Sequence, residues 1–172
     1  GDPGALIVVF PHWGRNYAPA GGRARRTARL LHEAGADLVA GHGAHMMQAC
    51  RSGRGGTTLF SLGNLVFNSP GRYDRYGAPP FSLVSRLGLG RAGVRPAVDL
   101  RLYPIVSDNR LTGYRPRPAS AAEMDRVVAA LEGWDGEGGR FRRRFVPASD
   151  ARGFHLRLSG PLGARLADAG GG

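Results

Sequence analysis

Two short apolar runs stand out near the start of the chain. The first is Ala-Leu-Ile-Val-Val-Phe at residues 5–10, closed by Pro11, and the second is Leu-Val-Ala at residues 38–40. A short, β-branched run without polar alternation is typical of a strand buried on both faces of a parallel sheet. The pattern therefore predicts buried strands at residues 5–10 and 37–41.

The segment between these runs has the period of a helix. In residues 23–34, small and apolar side chains such as Ala24 and Leu31 share one stripe, and arginines fill the opposite face. Gly35 then suits the end of a helix. A strand, a helix and a second strand form a right-handed βαβ unit, so we expect the two strands to be parallel neighbours.

Strand patterns continue beyond the βαβ unit. Residues 57–62 form another apolar run, closed by Gly63, which predicts a third strand. Residues 81–89 and 97–106 alternate between apolar and polar side chains, which predicts an antiparallel pair joined by a turn at residues 91–93.

A helix with a recognisable start follows this pair. Ser120 and Glu123 have the spacing of a capping box, in which each side chain bonds the backbone of the other residue. The apolar stripe of the helix consists of Met124, Val127, Val128 and Leu131. We expect Gly133 to end it.

The pattern weakens after this helix. Residues 135–172 contain Gly-rich stretches and one weak strand pattern near 153–158, and we expect residues 159–172 to be disordered. The sequence therefore predicts an α/β fold over residues 1–134, made of a βαβ unit, antiparallel strands and a C-terminal helix. An irregular Gly/Arg-rich tail at residues 135–172 follows it.

Composition and charge narrow the classes of function. The chain has 172 residues and a net charge of +11, and all 24 of its basic residues are arginine. Residues 1–100 have 12 Arg against 5 acidic residues and residues 101–172 have 12 against 8, so no basic arm for nucleic acid is indicated. The sequence contains no apolar run of about 18 residues, which is the length that would predict a membrane-spanning helix. The N-terminus lacks the pattern of a signal peptide. A single cysteine, Cys50, excludes an internal disulfide.

Three of the five histidines follow the predicted parallel strands. His12 follows the first strand, and His42 and His45 follow the second. Because the carboxyl ends of parallel strands meet at one edge of the sheet, we expect all three imidazoles at that edge. Neutral imidazole binds zinc, iron and manganese, and three imidazoles with an open position form a recognised catalytic arrangement. The alternative is a glycine-rich loop whose histidines have no shared role.

Other candidate residues have simpler interpretations. Trp13 forms either the wall of a pocket or part of the ordinary core packing. We expect structural roles for His32 on the helix, for His155 in the weak strand and for Cys50 as a buried thiol. The arginine run at residues 142–144 is expected on a solvated face.

Four segments, in order along the chain, carry a family resemblance. They are His12-Trp13-Gly14-Arg15-Asn16-Tyr17, Ala34-Gly35-Ala36-Asp37-Leu38-Val39, Gly41-His42-Gly43-Ala44-His45 and Ser61-Leu62-Gly63-Asn64-Leu65-Val66-Phe67. Together they resemble the CapA family, the bacterial poly-gamma-glutamate capsule biosynthesis proteins. Residues 78–83 and 112–116 are similar to that family's C-terminal part, so the resemblance covers about residues 5–132.

The resemblance implies a fold and a site. The fold is part of a layered α/β sandwich like that of the calcineurin-like metallophosphoesterases, with a metal site at the carboxyl ends of the strands. The implied ligands of a divalent ion, either zinc, manganese or iron, are His12, His42 and His45. The residues expected to bind substrate are Trp13, Arg15, Asn16 and Asn64. No catalytic residue is assigned.

The sequence also departs from the family. Many members have glutamate where Asn16 stands, and His-Pro-His where this chain has Gly43-Ala44-His45. The aspartate ligands of the family's N-terminal half have no counterpart here, because Asp2 and Asp37 precede their strands, at the end opposite the histidines. We therefore expect the C-terminal half of a CapA-like domain. Such a half would hold one ion weakly and no two-metal centre, which needs anionic bridging ligands.

Three functions are consistent with these features. The first is a capsule polymer protein with a metal-dependent, metallophosphoesterase-like hydrolytic core that the N-terminal half would complete. The second is a non-catalytic capsule-assembly subunit that binds a polyanion, and the third, on charge alone, is a nucleic-acid-binding module. The expected partner is an anionic polymer or phosphoester and not a nucleic acid. The resemblance implies a location in the cell envelope or outside the cytoplasm, with membrane contact only through other segments or subunits.

Overall fold

The computed structural model describes residues 5–53, 55–68, 70–92, 95–135 and 140–158. In these ranges the chain forms a mixed α/β structure with two sheets. Its helices are α1 (Gly22–Glu33), α2 (Arg72–Tyr76), α3 (Asn109–Thr112), α4 (Ala121–Asp135) and α5 (Arg140–Arg144). Its strands are β1 (Val8–Val9), β2 (Leu38–Ala40), β3 (Cys50–Gly53), β4 (Gly56–Leu59), β5 (Phe81–Ala92), β6 (Arg95–Val106), β7 (Arg117–Pro118), β8 (Phe145–Asp150) and β9 (Gly153–Leu158).

The first sheet contains the predicted βαβ unit. Its strand order is β1-β2-β4-β3, in which β2 is parallel to both β1 and β4 while β3 is antiparallel to β4. Val8 pairs with Leu38, and α1 connects their strands. The predicted parallel pair and its helix are therefore confirmed, with strands shorter than their apolar runs. The predicted burial is confirmed for β2 but wrong for the first run, because β1 lies at the edge of the sheet, where Val8 is 41% and Phe10 is 59% exposed. The third strand is also confirmed, although it begins at Gly56 and ends at Leu59.

The second sheet is built on a long hairpin. Its order is β5-β6-β9-β8, and β7 pairs with β6. The predicted antiparallel pair is confirmed, but the predicted turn at residues 91–93 is wrong at its first two positions. Arg91 and Ala92 are still paired in the ladder, opposite Pro96 and Arg95, because the strands extend further than their alternating pattern. Residue 93 lies outside the described residues.

The capping box of α4 forms as expected. Ser120 N–H donates to Glu123 Oε2 at 2.8 Å, and Glu123 N–H donates to Ser120 Oγ at 3.3 Å. Hydrogen bonds from Arg117 and from the Ser120 backbone lower the pKa of Glu123 to about 2. Its carboxylate thus remains charged and stabilises the N-terminus of the helix.

The predicted end of this helix at Gly133 is wrong. The helix runs through Gly133 to Asp135, whose buried carboxylate lies 3.0 Å from the guanidinium of Arg51 on β3. Packing of the last turn against the first sheet therefore outweighs the low helix propensity of glycine, which costs only about 1 kcal/mol.

The expected irregular tail at residues 135–172 is wrong for residues 140–150, whereas the weak strand predicted near residues 153–158 is confirmed. Residues 140–158 form α5, β8 and β9, and β9 joins the second sheet through the pairing of Leu156 with Leu102. Phe141 and Phe145 are buried and stack at 5.2 Å between ring centroids. This segment has few apolar residues, but several of them are buried in the core. Residues 159–172, expected to be disordered, lie outside the described residues.

One apolar cluster joins the two sheets with α4 and α5. It includes Leu38 and Leu59 from the first sheet, Leu102 from the second and Leu131 from α4. Cys50 lies in the same cluster, fully buried, and burial raises the pKa of its thiol far above the ordinary value. The thiol is therefore structural, as expected. In the described part of the chain no helix combines the length and the apolar character needed to cross a bilayer.

Candidate functional site

His12 and His42 lie side by side beyond the carboxyl ends of β1 and β2. The parallel pairing of these strands continues past their ends, because His42 N–H donates to Pro11 O at 3.0 Å and Trp13 N–H donates to His42 O at 2.9 Å. The two imidazoles meet edge to face, with their centroids 4.7 Å apart and their planes at 88°. The sheet-edge argument from the sequence therefore holds for this pair.

Gly43 makes room for this pair. Its φ of +108° belongs to the region that favours glycine, and a Cβ at this position would lie 2.9 Å from His12 Nε2 and 2.8 Å from the Trp13 carbonyl oxygen. A side chain here would therefore displace the His12 ring.

His45 sits in a different environment. Its Nδ1 lies 3.0 Å from Asn64 Oδ1, and its ring stacks on Tyr17 at 5.6 Å and contacts Phe67 at 4.5 Å between centroids. Both His45 and Tyr17 have positive φ angles, 62° and 54°, which non-glycine residues rarely adopt. Such strain is common at functional sites.

A buried hydrogen-bond network holds the backbone carbonyl group of His45. Tyr73 donates from its hydroxyl to the His45 carbonyl at 2.9 Å, and Ser107 connects Tyr73 to Ser82 through bonds of 2.8 Å each. Burial raises the pKa of Tyr73, which keeps its phenol protonated. The sequence analysis missed these three residues. A usable signal was Ser82, a polar residue at the start of a predicted strand that also lies in a segment resembling the family.

Trp13 combines both of its expected roles. Its indole Nε1 donates to Phe60 O at 2.7 Å and its ring stacks on Phe60 at 6.1 Å, as in ordinary core packing. Trp13 also lines a cavity of about 800 Å³, together with His12, Arg15 and Arg23. Asn16 is exposed in the same loop, and Asn64 faces His45.

The other polar candidates lie apart from this cavity. His32 is half-buried and joins α1 to β4, with ring nitrogens 2.7 Å from Ala36 O and 2.7 Å from Thr58 Oγ1. His155 is buried against Tyr103 in the second sheet, with ring centroids 5.0 Å apart. Asp37 Oδ2 accepts a hydrogen bond from Ile7 N–H at 2.9 Å, at the start of β2. These contacts support the structural roles expected from the sequence.

The arginine run on α5 is only partly solvated. Arg142 and Arg143 are exposed, and Arg142 pairs with Glu132 on α4. Arg144 is half-buried and donates to Ser52 Oγ at 3.0 Å. Two of the three side chains thus attach α5 to its neighbours.

The donor set limits the metal that this site could hold. Over the residues that the structure describes, no group of three or more His, Cys, Asp or Glu side chains is placed to hold one ion. A two-metal centre has ions about 3.5–4 Å apart and needs anionic bridging ligands. The neutral imidazoles of His12, His42 and His45 provide none, so a two-metal centre does not fit these residues. The donor chemistry of the adjacent His12 and His42 rings suits a single zinc-like ion.

Comparison with known families identifies the class of this segment. Residues 2–69 match the family model described as bacterial capsule synthesis protein PGA_cap. The resemblance stated from the sequence is therefore confirmed for the part of the chain that carries the histidines, Trp13 and Asn64.

Two curated relatives share part of the sequence. The PGA biosynthesis protein CapA of Bacillus subtilis (strain 168) is 34% identical over 92 residues, which cover 53% of this chain and 24% of the relative. The capsule biosynthesis protein CapA of Bacillus anthracis is 38% identical over 64 residues, which cover 37% of this chain and 16% of the relative. The aligned segments thus span a quarter or less of the length of either relative.

Proposed function

We propose that this protein takes part in the synthesis or processing of a capsule polymer of the poly-gamma-glutamate type, and that it binds the polymer beside His12 and Trp13. The observation that carries the proposal is the family match of residues 2–69, since these residues build both the βαβ unit and the loops of the site. The names of both relatives refer to capsule or PGA biosynthesis.

The charge and shape of the site support binding of a polyanion. The chain has a net charge of +11, and Arg15 and Arg23 both line the cavity of about 800 Å³ next to Trp13. Guanidinium groups bind carboxylates through paired hydrogen bonds. A polymer with one carboxylate per residue could therefore pair with Arg15 and Arg23 and pack against Trp13 in the same cavity.

Binding of poly-gamma-glutamate should depend on the arginines of this cavity. We expect the double variant Arg15→Gln and Arg23→Gln to bind the fluorescently labelled polymer several-fold more weakly at moderate salt, since an exposed ion pair contributes about 0.2–1 kcal/mol. Fluorescence anisotropy over a salt series gives both the affinity and its dependence on charge.

Arg143→Gln on α5 is the matched control for this experiment. Its side chain is exposed and lies on a different element, so its loss should leave the affinity nearly unchanged. An equal loss in both variants would mean that net charge alone attracts the polymer, and would contradict a site at the cavity. Tighter binding of double-stranded DNA than of the polymer at the same salt would favour the nucleic-acid alternative.

A second candidate function is metal-dependent hydrolysis in a layered, metallophosphoesterase-like fold. The adjacent imidazoles of His12 and His42 at the carboxyl edge of the sheet favour it. A bound divalent ion, zinc, manganese or iron, would supply polarisation of a phosphoryl or amide carbonyl oxygen. The protein's own groups would hold the ion and attract the anionic substrate.

Zinc titration separates this candidate from a non-catalytic, polymer-binding role. If His12 and His42 hold an ion together, His42→Ala should bind zinc at least tenfold more weakly than the wild type in isothermal titration. His32→Gln serves as the control, because His32 lies between α1 and β4 and should leave zinc affinity unchanged. Equal affinity in the wild type and His42→Ala would remove the shared-ion hypothesis and leave polymer binding alone.

A further inference from the structure

The hydrogen bonds around His45 form a closed path whose direction is fixed at both ends. The path begins at the backbone N–H of Asn64, which can only donate, and which bonds Ser82 Oγ at 2.9 Å. It ends at the carbonyl oxygen of His45, which can only accept, and which receives the hydroxyl proton of Tyr73 at 2.9 Å.

The hydroxyl groups between these ends then have one consistent arrangement. Because the single hydroxyl proton of Tyr73 goes to His45, Ser107 must donate to Tyr73 across 2.8 Å. Ser82 must in turn donate to Ser107, also across 2.8 Å. Every hydroxyl in the path both donates and accepts, and the path is buried at Tyr73, Ser82 and Ser107. A fully satisfied buried network of this kind rigidifies what it holds.

The side-chain amide of Asn64 completes the path. Its Oδ1 lies 3.0 Å from His45 Nδ1. An amide oxygen can only accept, so the proton of this bond belongs to the imidazole.

We infer that Asn64 is a positioning residue, which fixes His45 as the Nδ1–H tautomer and leaves the free lone pair of the ring on Nε2. The contacts with Tyr17 and Phe67 restrict the plane of the same ring. Histidines that bind metals or accept protons commonly have their other ring N–H fixed by such a partner. The inference depends on the proposed function only for the use of Nε2, since the tautomer is a property of the protein alone.

The tautomer can be measured directly by NMR in the metal-free protein. At about pH 8.5 a histidine with a pKa near 6.5 is neutral, and long-range ¹H–¹⁵N correlation of the ¹⁵N-histidine-labelled chain distinguishes protonated from unprotonated ring nitrogens. We expect a pyrrole-type shift at Nδ1 of His45 and a pyridine-type shift at Nε2. The His45→Gln variant assigns the signals.

A substitution tests the part played by Asn64. Asn64→Leu removes the acceptor and should move His45 towards the Nε2–H form, while Asn68→Leu, at an exposed position in the same loop, should leave the wild-type pattern. A wild-type His45 protonated at Nε2 would overturn the inference, as would an unchanged pattern in a folded Asn64→Leu. The wild-type spectrum decides the tautomer even if Asn64→Leu fails to fold.

The two proposals fail in different ways. An Nδ1–H His45 in a protein that binds neither zinc nor poly-gamma-glutamate would support the positioning role and count against the proposed function. An Nε2–H His45 in a protein that binds either one would overturn the positioning role alone.

Discussion

Phe145→Ala should destabilise the protein by about 3–5 kcal/mol, the usual effect of removing a buried phenylalanine side chain. Phe145 is 0% exposed, stacks on Phe141 at 5.2 Å, and belongs to the cluster that joins both sheets. Truncation would leave a cavity in this cluster, whose cost adds to that of the lost apolar burial. For a chain of this length the expected fall in Tm is roughly 6–20 °C, measurable by circular dichroism melting.

Val146→Ala is the matched control for this experiment. Val146 is the next residue of β8 but is 46% exposed, so its truncation should change the Tm by only a small fraction of the Phe145→Ala effect. Equal, small effects of both substitutions would mean that residues 140–158 pack loosely on the rest, as the irregular tail expected from the sequence would do.

Gly41→Ala should cost about 3 kcal/mol although it adds one methyl group. A Cβ on Gly41 would lie 2.3 Å from the Phe60 carbonyl oxygen and 2.4 Å from Trp13 Nε1, the two atoms that form the 2.7 Å hydrogen bond of the indole. Neither neighbour can yield freely, because one is backbone and the other is a ring packed on Phe60. Overpacking of this kind typically costs 1–3 kcal/mol, and loss of the hydrogen bond adds to it. Urea denaturation followed by tryptophan fluorescence would measure it.

Gly133→Ala tests whether glycine replacement as such is harmful. Nothing lies within 4 Å of a Cβ at Gly133, which sits inside α4. Alanine there should raise stability by about 0.5–1 kcal/mol, because it has the better helix propensity. A Gly41→Ala variant as stable as the wild type would show that Trp13 is not held as described, and would weaken its role as the cavity wall.

The sequence predicted only part of the candidate site. Parallel strands deliver the residues that follow them to one edge, and this rule places His12 next to His42. The same rule says nothing about the backbone after Gly43, where His45 takes a positive φ and turns towards Asn64. The sequence therefore predicted which histidines reach the sheet edge more reliably than it predicted what each ring contacts.

The sequence by itself determined the features that depend on neighbouring residues along the chain. The apolar runs of β1 and β2, the stripe of α1 and the capping box of Ser120 and Glu123 each follow from a local period or spacing. The family resemblance of residues 2–69 is likewise a property of local segments.

Tertiary structure alone decided the features that join distant parts of the chain. The bonds that hold His45 connect residues 18 to 34 positions apart, from Asn64 with Ser82 to Tyr73 with Ser107. The strands β8 and β9 join the second sheet, and Phe141, Phe145 and Leu156 pack in a core that is built mainly by other elements. A local sequence pattern does not predict these hydrogen-bond and packing partners. The burial of an apolar side chain and the pairing of a hydroxyl group depend on which surfaces meet when the chain folds.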